Sequence, residues 1–371
     1  MKEEPIIFKG LAGVTVDYTS ISKVMPETNS LTYRGYAVEE LCEKKSFEDV
    51  AYLLVNNDLP NAEERAAFID KEKSQRILSK ELMGVLKKLP KASHPMDTLR
   101  TGVSVLGCED TRIWDSSRET NMDKYISLLA KIPAIIAASY RHKKGQDFIP
   151  ADDSLSFSEN FFHMCFGQVP APEVIKAFDV SLILYAEHSF NASTFTARVI
   201  TSTTSDIYSA VAGAIGALKG PLHGGANEQV MHMLKEVGSR ENAEAWMLDA
   251  LSNKKKIMGF GHRVYRNGDS RVPTMKKYTL KTAEFTNNQA LIETAAKLEE
   301  VMVREKSIYP NLDFPAGPAY YMMGFEIEMF TPIFVMSRIT GWAAHIMEQN
   351  ANNKLIRPLS AYNGVRQRTV D

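Results

Sequence analysis

Disulfide chemistry is almost shut out of this chain, which has three cysteines, Cys42, Cys108 and Cys165, far apart and without a CxxC pair. That excludes a disulfide framework and a cysteine zinc site, and it suits a reducing compartment. Net charge is equally scarce. Lys and Arg total 44 against 45 Asp and Glu, a formal charge of −1, which gives no global reason to expect nucleic acid or an anionic membrane as partner. The most apolar stretch, "ISLLAKIPAIIAASY" at 126–140, is interrupted by Lys131 and Pro133 and is too short to span a bilayer. The opening "MKEEPIIFKG" is acidic, with too short an apolar run for a signal peptide, so a cytoplasmic location is expected. No internal repeat and no low-complexity linker is found. With 44% hydrophobic and 24% charged residues over 371 positions, the chain reads as an ordinary soluble globular protein of two domains or one large one.

Helical spacing dominates what is present. Only the first forty residues differ: "GVTVDYTSI" and "SLTYRGYAV" are rich in β-branched and aromatic residues, and "MPETN" between them signals a turn. A small N-terminal β-element is expected there. From Val38 to Pro60, Leu41, Val50, Leu53 and Leu54 can line one face of a helical segment closed by Pro60. Similar segments recur to the end, among them "APEVIKAFDVSLILYAEHSF", "GGANEQVMHMLKEVG" and "MFTPIFVMSRITGWAAHIMEQNAN". Strand and helix do not alternate, so a mainly α fold is expected rather than a parallel sheet. "SDIYSAVAGAIGALKG" at 205–220 is unusually rich in small residues; it suits a tightly packed core helix and a subunit interface equally well.

Polar residues concentrate at four places. "YAEHSFNASTFTARV" carries His188, followed by Asn191, Ser193 and Thr194. "KGPLHGGANE" sets His223 between a proline and two glycines. "GFGHRVYRNGDSRVP" carries His262 with Arg263, Arg266 and Arg271, and "YPNLDFPAGPAYYMMG" places Asp313 between prolines. Arg338 and Arg357 lie downstream. Singly, each has a plain structural explanation. His188 could cap a helix, Asp313 could make an Asx-turn, and the arginines could form surface ion pairs of little value. His345 and Glu348 are three apart at helical spacing, but two residues do not make a metal site and core packing explains them. Together, three histidines, one carboxylate and several arginines stand in Gly/Pro-shaped loops or at helix ends, where side chains can converge on a cleft. Arginines bind carboxylates bidentately. A carboxylate with neutral imidazoles can remove a carbon-bound proton and stabilise the enolate. "GGANE" should open a helix just after His223, and its positive end should hold that imidazole neutral.

With these residues assembled, the chain resembles the citrate synthase family, in particular its short bacterial 2-methylcitrate and citrate synthases. The resemblance is carried in order by "LTYRGYAVEEL", "HPMDTLRTGVSVLG", "LYAEHSFNASTFTARVI", "GALKGPLHGGANE", "GFGHRVYRNGDSRVP", "PNLDFPAGPAYYMMG", "EMFTPIFVMSRITGWAAHIMEQ" and "LIRPLSAYNG", spanning 31–364. It implies a two-domain helical fold, with a large domain from 1–222 plus 323–371 and a small domain, 223–322, closing over the site. It further implies that His223 hydrogen-bonds the acyl-CoA carbonyl, Asp313 takes the α-proton, and His262 polarises the oxaloacetate ketone. His188, Arg271, Arg338 and Arg357 would hold oxaloacetate, Arg357 reaching in from the partner of a homodimer, while Arg266 and Lys306 would contact CoA phosphates. No metal or redox cofactor is implied. One departure is "EHSFN" where relatives commonly have "EHEFN", so Ser189 removes a carboxylate beside His188. The expected activity is 2-methylcitrate synthesis from propionyl-CoA and oxaloacetate, with acetyl-CoA as a further substrate. The alternatives are citrate synthesis and, more remotely, a non-catalytic acyl-CoA-binding relative. A metal hydrolase lacks support, since there is no HExxH or comparable ligand spacing.

Overall fold

The computed structural model describes residues 6–265 and 267–370. After a 3-10 turn at Lys9–Leu11 comes an antiparallel sheet, with β1 (Ser22–Met25), β2 (Ser30–Tyr33) and β3 (Tyr36–Ala37) in sequential order. Ser22 pairs with Tyr33 and Met25 with Ser30, which leaves 26–29 as the turn expected at "MPETN". The strand expected in "GVTVDYTSI" does not form. Val14, Val16 and Tyr18 are exposed, with neither a facing strand nor a core to cover, and pairing starts only at Ser22.

Sixteen α-helices follow among the described residues: α1 (Val38–Lys44), α2 (Phe47–Asn56), α3 (Ala62–Ser74), α4 (Lys80–Lys88), α5 (Pro95–Glu109), α6 (Arg118–Lys143), α7 (Phe157–Phe166) and α8 (Pro172–Tyr185), then α9 (Ala192–Ser202), α10 (Ile207–Lys219), α11 (Ala226–Val237), α12 (Arg240–Ser252), α13 (Val272–Thr286), α14 (Gln289–Lys306), α15 (Asp313–Met322) and α16 (Phe330–Ala351). The mainly α architecture with a small N-terminal sheet is thus as expected. The segment from Val38 to Pro60 is two helices, not one. Ser46 caps α2 by accepting from Asp49 N–H, while the Asp49 side chain accepts from Ser46 N–H, and this reciprocal cap starts a new helix. α6 continues through Pro133, because Ile132, Ile135 and Ile136 around it are buried in the core.

α16 organises the rest. Every residue from Phe330 to Met347 is buried, so the helix is wrapped on all sides, against α2, α6, α8, α9 and α10 among others. α12 packs on α14, α11 and α13 pack on α15, and α13 also meets α8. The polar residues singled out in the sequence gather where α8 and α16 face the starts of α13 and α15.

Candidate active site

The sheet braces one wall. Tyr33 is fully buried, and its hydroxyl donates to Glu187 O at 3.0 Å and accepts from Glu187 N–H at 3.2 Å. That bolts down the chain just after α8, which ends at Tyr185, five residues short of the helical segment expected through Phe190. Asn191 then caps α9 by accepting from Thr194 N–H.

The loop before α13 supplies the facing wall. Gly259 has φ 83°, and a Cβ there would meet Val230 Cγ2 at 2.4 Å, so only glycine lets the loop lie this close to α11. Arg271, just ahead of α13, forks onto Asp269 (Nε–Oδ1 2.9 Å, Nη2–Oδ2 2.6 Å), and Asp269 also accepts from Leu312 N–H at 3.1 Å. One carboxylate therefore fixes both the arginine and the start of α15. Burial pushes the Asp269 carboxyl up, but Arg271 outweighs it and holds the group below the usual carboxylate range. His262 Nδ1 accepts from Val264 N–H at 3.0 Å and Tyr265 N–H at 3.1 Å, which leaves the ring hydrogen on Nε2 as a free donor. The His188 ring lies 5.0 Å from that of His262. Burial, then Arg271, brings His262 down to about 4. The same two causes, with His262 itself, bring His188 well below the usual imidazole value.

Arg338 enters from α16. Its Nε donates to Tyr185 O at 2.6 Å and its guanidinium lies 4.7 Å from the Phe334 ring centre. Among the described residues, buried Arg338 Nη1 and His188 Nε2 have no hydrogen-bond partner. Buried polar atoms are nearly always satisfied, so these two call for a polar ligand. Two guanidiniums and two neutral imidazoles suit a small dicarboxylate carrying a carbonyl.

Asp313 is the first residue of α15, and Tyr185 donates to its Oδ1 at 2.7 Å. Burial raises its carboxyl to about 6, against the lowering pull of Tyr185 and Arg271. Tyr185 packs on Phe334 at 4.1 Å, and Phe334 lies 6.1 Å from His223. His223 Nε2 is engaged by Ser193 Oγ at 2.8 Å and Asn191 Oδ1 at 3.1 Å, which leaves Nδ1 available. Helix α11 does begin just beyond, at Ala226, as expected. The chief cause of the neutral imidazole is different, however: burial first, then the Arg338 charge, brings His223 down to about 3.

Six residues read from the sequence, His188, His223, His262, Arg271, Asp313 and Arg338, therefore line one recess. Arg357 does not join them; it is exposed on the tail beyond α16, and its one side-chain hydrogen bond among the described residues is to Pro358 O, at 3.4 Å. Lys306 is the exposed last residue of α14. Arg266 lies outside the described residues. Sequence reasoning missed Asp269, Tyr265, Tyr185 and Phe334. Asp269 had a signal, a carboxylate two residues before Arg271, and Phe334 stands one turn before Arg338. Tyr185 looked like any core aromatic. No group of three or more His, Cys, Asp or Glu among the described residues is placed to hold a metal ion, and no described helix is long and apolar enough to cross a membrane.

A neutral imidazole, a carboxylate with raised affinity for its proton, and a guanidinium-lined recess define an enzyme that makes carbon nucleophiles beside a carbonyl. The chain belongs to the citrate synthase family: the pattern described as "Citrate synthase, C-terminal domain" matches residues 10–359. It is 55% identical to a citrate synthase of Mycolicibacterium smegmatis, over 99% of this chain and 98% of that one. It is equally 55% identical to a 2-methylcitrate synthase of Mycobacterium tuberculosis, over 99% of this chain and 93% of the relative. Its fold superimposes with a TM-score of 0.94, at 31% identity and 98% coverage of both chains, on the citrate synthase of Thermoplasma acidophilum solved as a ternary complex with carboxymethyl coenzyme A and oxaloacetate.

Proposed function

We propose that the chain is a 2-methylcitrate synthase, condensing propionyl-CoA with oxaloacetate and hydrolysing the thioester to 2-methylcitrate and CoA, with acetyl-CoA also accepted. The observation that carries this reading is the cluster itself, where the Arg271 and Arg338 charges act on the Asp313 carboxylate, Arg338 on neutral His223 and Arg271 on neutral His262, with one Arg338 nitrogen left without a partner among the described residues. Arg271, Arg338 and His188 hold oxaloacetate, and His262 Nε2–H donates to its ketone oxygen. Asp313 takes the α-proton of the acyl-CoA. In the tautomer that carries its hydrogen on Nδ1, His223 gives that hydrogen bond to the thioester oxygen as negative charge develops. The enol carbon then bonds to the ketone carbon, whose oxygen collects a proton. Water finally cleaves the thioester and CoA leaves. None of these steps asks for a metal or redox cofactor. Lys306 and Arg266 are assigned to the CoA phosphates.

Citrate synthesis from acetyl-CoA is the second reading, and it is supported by the relative named citrate synthase, which is as similar as the one named 2-methylcitrate synthase. The substrates differ by one methyl group, which a pocket distinguishes by about 1–3 kcal/mol. Steady-state kinetics with both acyl-CoAs decide. Under the first reading kcat/KM for propionyl-CoA equals or exceeds that for acetyl-CoA; a clear preference for acetyl-CoA transfers the chain to the second.

We assign residues 1–222 with 323–371 to a large domain and 223–322 to a small one. The packing of α11 to α15 on one another supports the small domain, which carries His223, His262, Arg271 and Asp313. Closure of one domain on the other would exclude water from the enolate. The working unit is a homodimer. Support comes from the tail, where Leu355, Leu359 and Tyr362 are 59%, 89% and 79% exposed, and from the outward Ser209 and Gly216 of α10. Such a tail, laid on a partner, brings Arg357 to the partner's site.

A further inference from the structure

Glu187, His345 and Arg198 form a buried polar chain, with half-buried Glu348 at its outer end, that ends beside the recess, and the reaction as written uses none of them. Glu187 and His345 are completely buried and Arg198 is 2% exposed. Arg198 Nη1 donates to Glu348 Oε2 at 2.9 Å and to His345 Nδ1 at 3.1 Å. With Nδ1 accepting, the ring hydrogen stands on His345 Nε2, which donates to Glu187 Oε1 at 2.9 Å. That same oxygen accepts from Ser22 Oγ at 2.9 Å and from Ser189 N–H at 2.5 Å. Glu187 Oε2 is buried with no hydrogen-bond partner among the described residues. It lies against the backbone of α16 at Gly341, where a Cβ would meet it at 2.3 Å and would stand 3.4 Å from Arg338 Cδ. The glycine, less than one turn beyond Arg338, thus lets the carboxylate approach the arginine stem. The next residue along the chain is His188. Burial pushes Arg338 down to about 10, and Glu187 is the first charge opposing that fall.

Resting on the reading of the recess as an oxaloacetate site, we propose that Glu187, braced by His345 and Arg198, is a positioning residue that sets both Arg338 and His188 for the keto-acid. A buried carboxylate costs a great deal unless it is hydrogen-bonded and charge-paired. Here three donors fix one oxygen, and the other is kept for the field at Arg338. Ser189, at φ 51°, turns its N–H onto the Glu187 carboxylate.

The role is tested with Glu187→Gln, His345→Ala and His345→Gln in the full-length protein, none of which touches the substrate. Oxaloacetate binding by calorimetry and the two KM values would be measured, with melting temperature as the control for folding. Removing a hydrogen bond to a charged group weakens an interaction by on the order of tenfold or more. The expected result is an oxaloacetate Kd and KM raised by that order in Glu187→Gln and His345→Ala, with the acyl-CoA KM at saturating oxaloacetate unchanged. His345→Gln, whose amide can still donate to Glu187, should recover most of the affinity. Folded Glu187→Gln and His345→Ala binding oxaloacetate as the wild type does would overturn the role while leaving the functional reading intact. Equal losses for both substrates, tracking the melting temperature, would overturn it as well, since that is what a structural defect produces. A wild type that bound no oxaloacetate would remove the functional reading and this role with it.

Discussion

Asp313 answers to two opposed demands. Its carboxyl is raised from 3.8 to about 6 by burial, so the folded protein holds the proton more tightly than the unfolded chain does. A raised carboxyl contributes stability that is full below its unfolded value and is lost as pH rises through its folded value, about 6. Near neutral pH the charged carboxylate therefore weakens the fold. Asp313→Asn, of equal size and never charged, should melt a few degrees higher than the wild type near neutral pH, and the gap should close in acid. The same variant should still bind oxaloacetate in calorimetry yet lose turnover by orders of magnitude. In the wild type kcat/KM should climb as pH passes about 6, the value to which Asp313 is raised. A variant that kept both its turnover and the wild-type melting profile would remove Asp313 from the role of base. At this scale the sequence was legible wherever chemistry needs a rare residue in a constrained loop, as with His223 and His262. It was not legible for Tyr185 or Phe334, because an aromatic that orients a base has the same local signature as one that fills a core.

Elements place these residues through a few tight approaches. Gly259 carries the His262 loop over α11 at a positive φ with Val230 against it. Gly259→Ala adds strain on the order of 1–3 kcal/mol as well as a clash, and the loop must lift. The expected outcome is a lower melting temperature together with a raised KM for oxaloacetate, because His262 and Arg271 ride on the same loop. Unchanged oxaloacetate kinetics in a destabilised variant would show that the loop's height does not matter to the site. Boundaries were less readable than helix identity. Ser46 split one expected helix because its cap bonds reciprocally with Asp49, whereas Pro133 failed to split another because the isoleucines around it are buried. α15 was missed because Pro315, Gly317 and Pro318 in its sequence argue against a helix. Tertiary burial overrode local preference in the last two cases.

At the scale of the whole molecule, the proposed homodimer is what would give one residue its role. Arg357 was readable as a site residue only through the family resemblance, and within a single chain it stands on the exposed tail. Asp313→Ala and Arg357→Ala homodimers should each be inactive or nearly so. Co-expressed with different tags and purified as the mixed dimer, they should recover activity approaching half that of the wild type. One site then carries both defects, while the other keeps its own Asp313 and borrows an intact Arg357. A verified heterodimer without activity would place Arg357 in the service of its own subunit.

The recess with Arg271, unpartnered Arg338 Nη1 and neutral histidines has a practical corollary for anyone handling this protein. Overall charge is −1, so long-range attraction for a dianion is slight, and the pull is confined to the last few ångströms of the cleft. A trap of that kind selects for charge density before it selects for shape. If the recess holds a keto-acid as proposed, sulfate and phosphate, being compact polyvalent oxyanions, should compete for it, raising both the melting temperature and the KM for oxaloacetate.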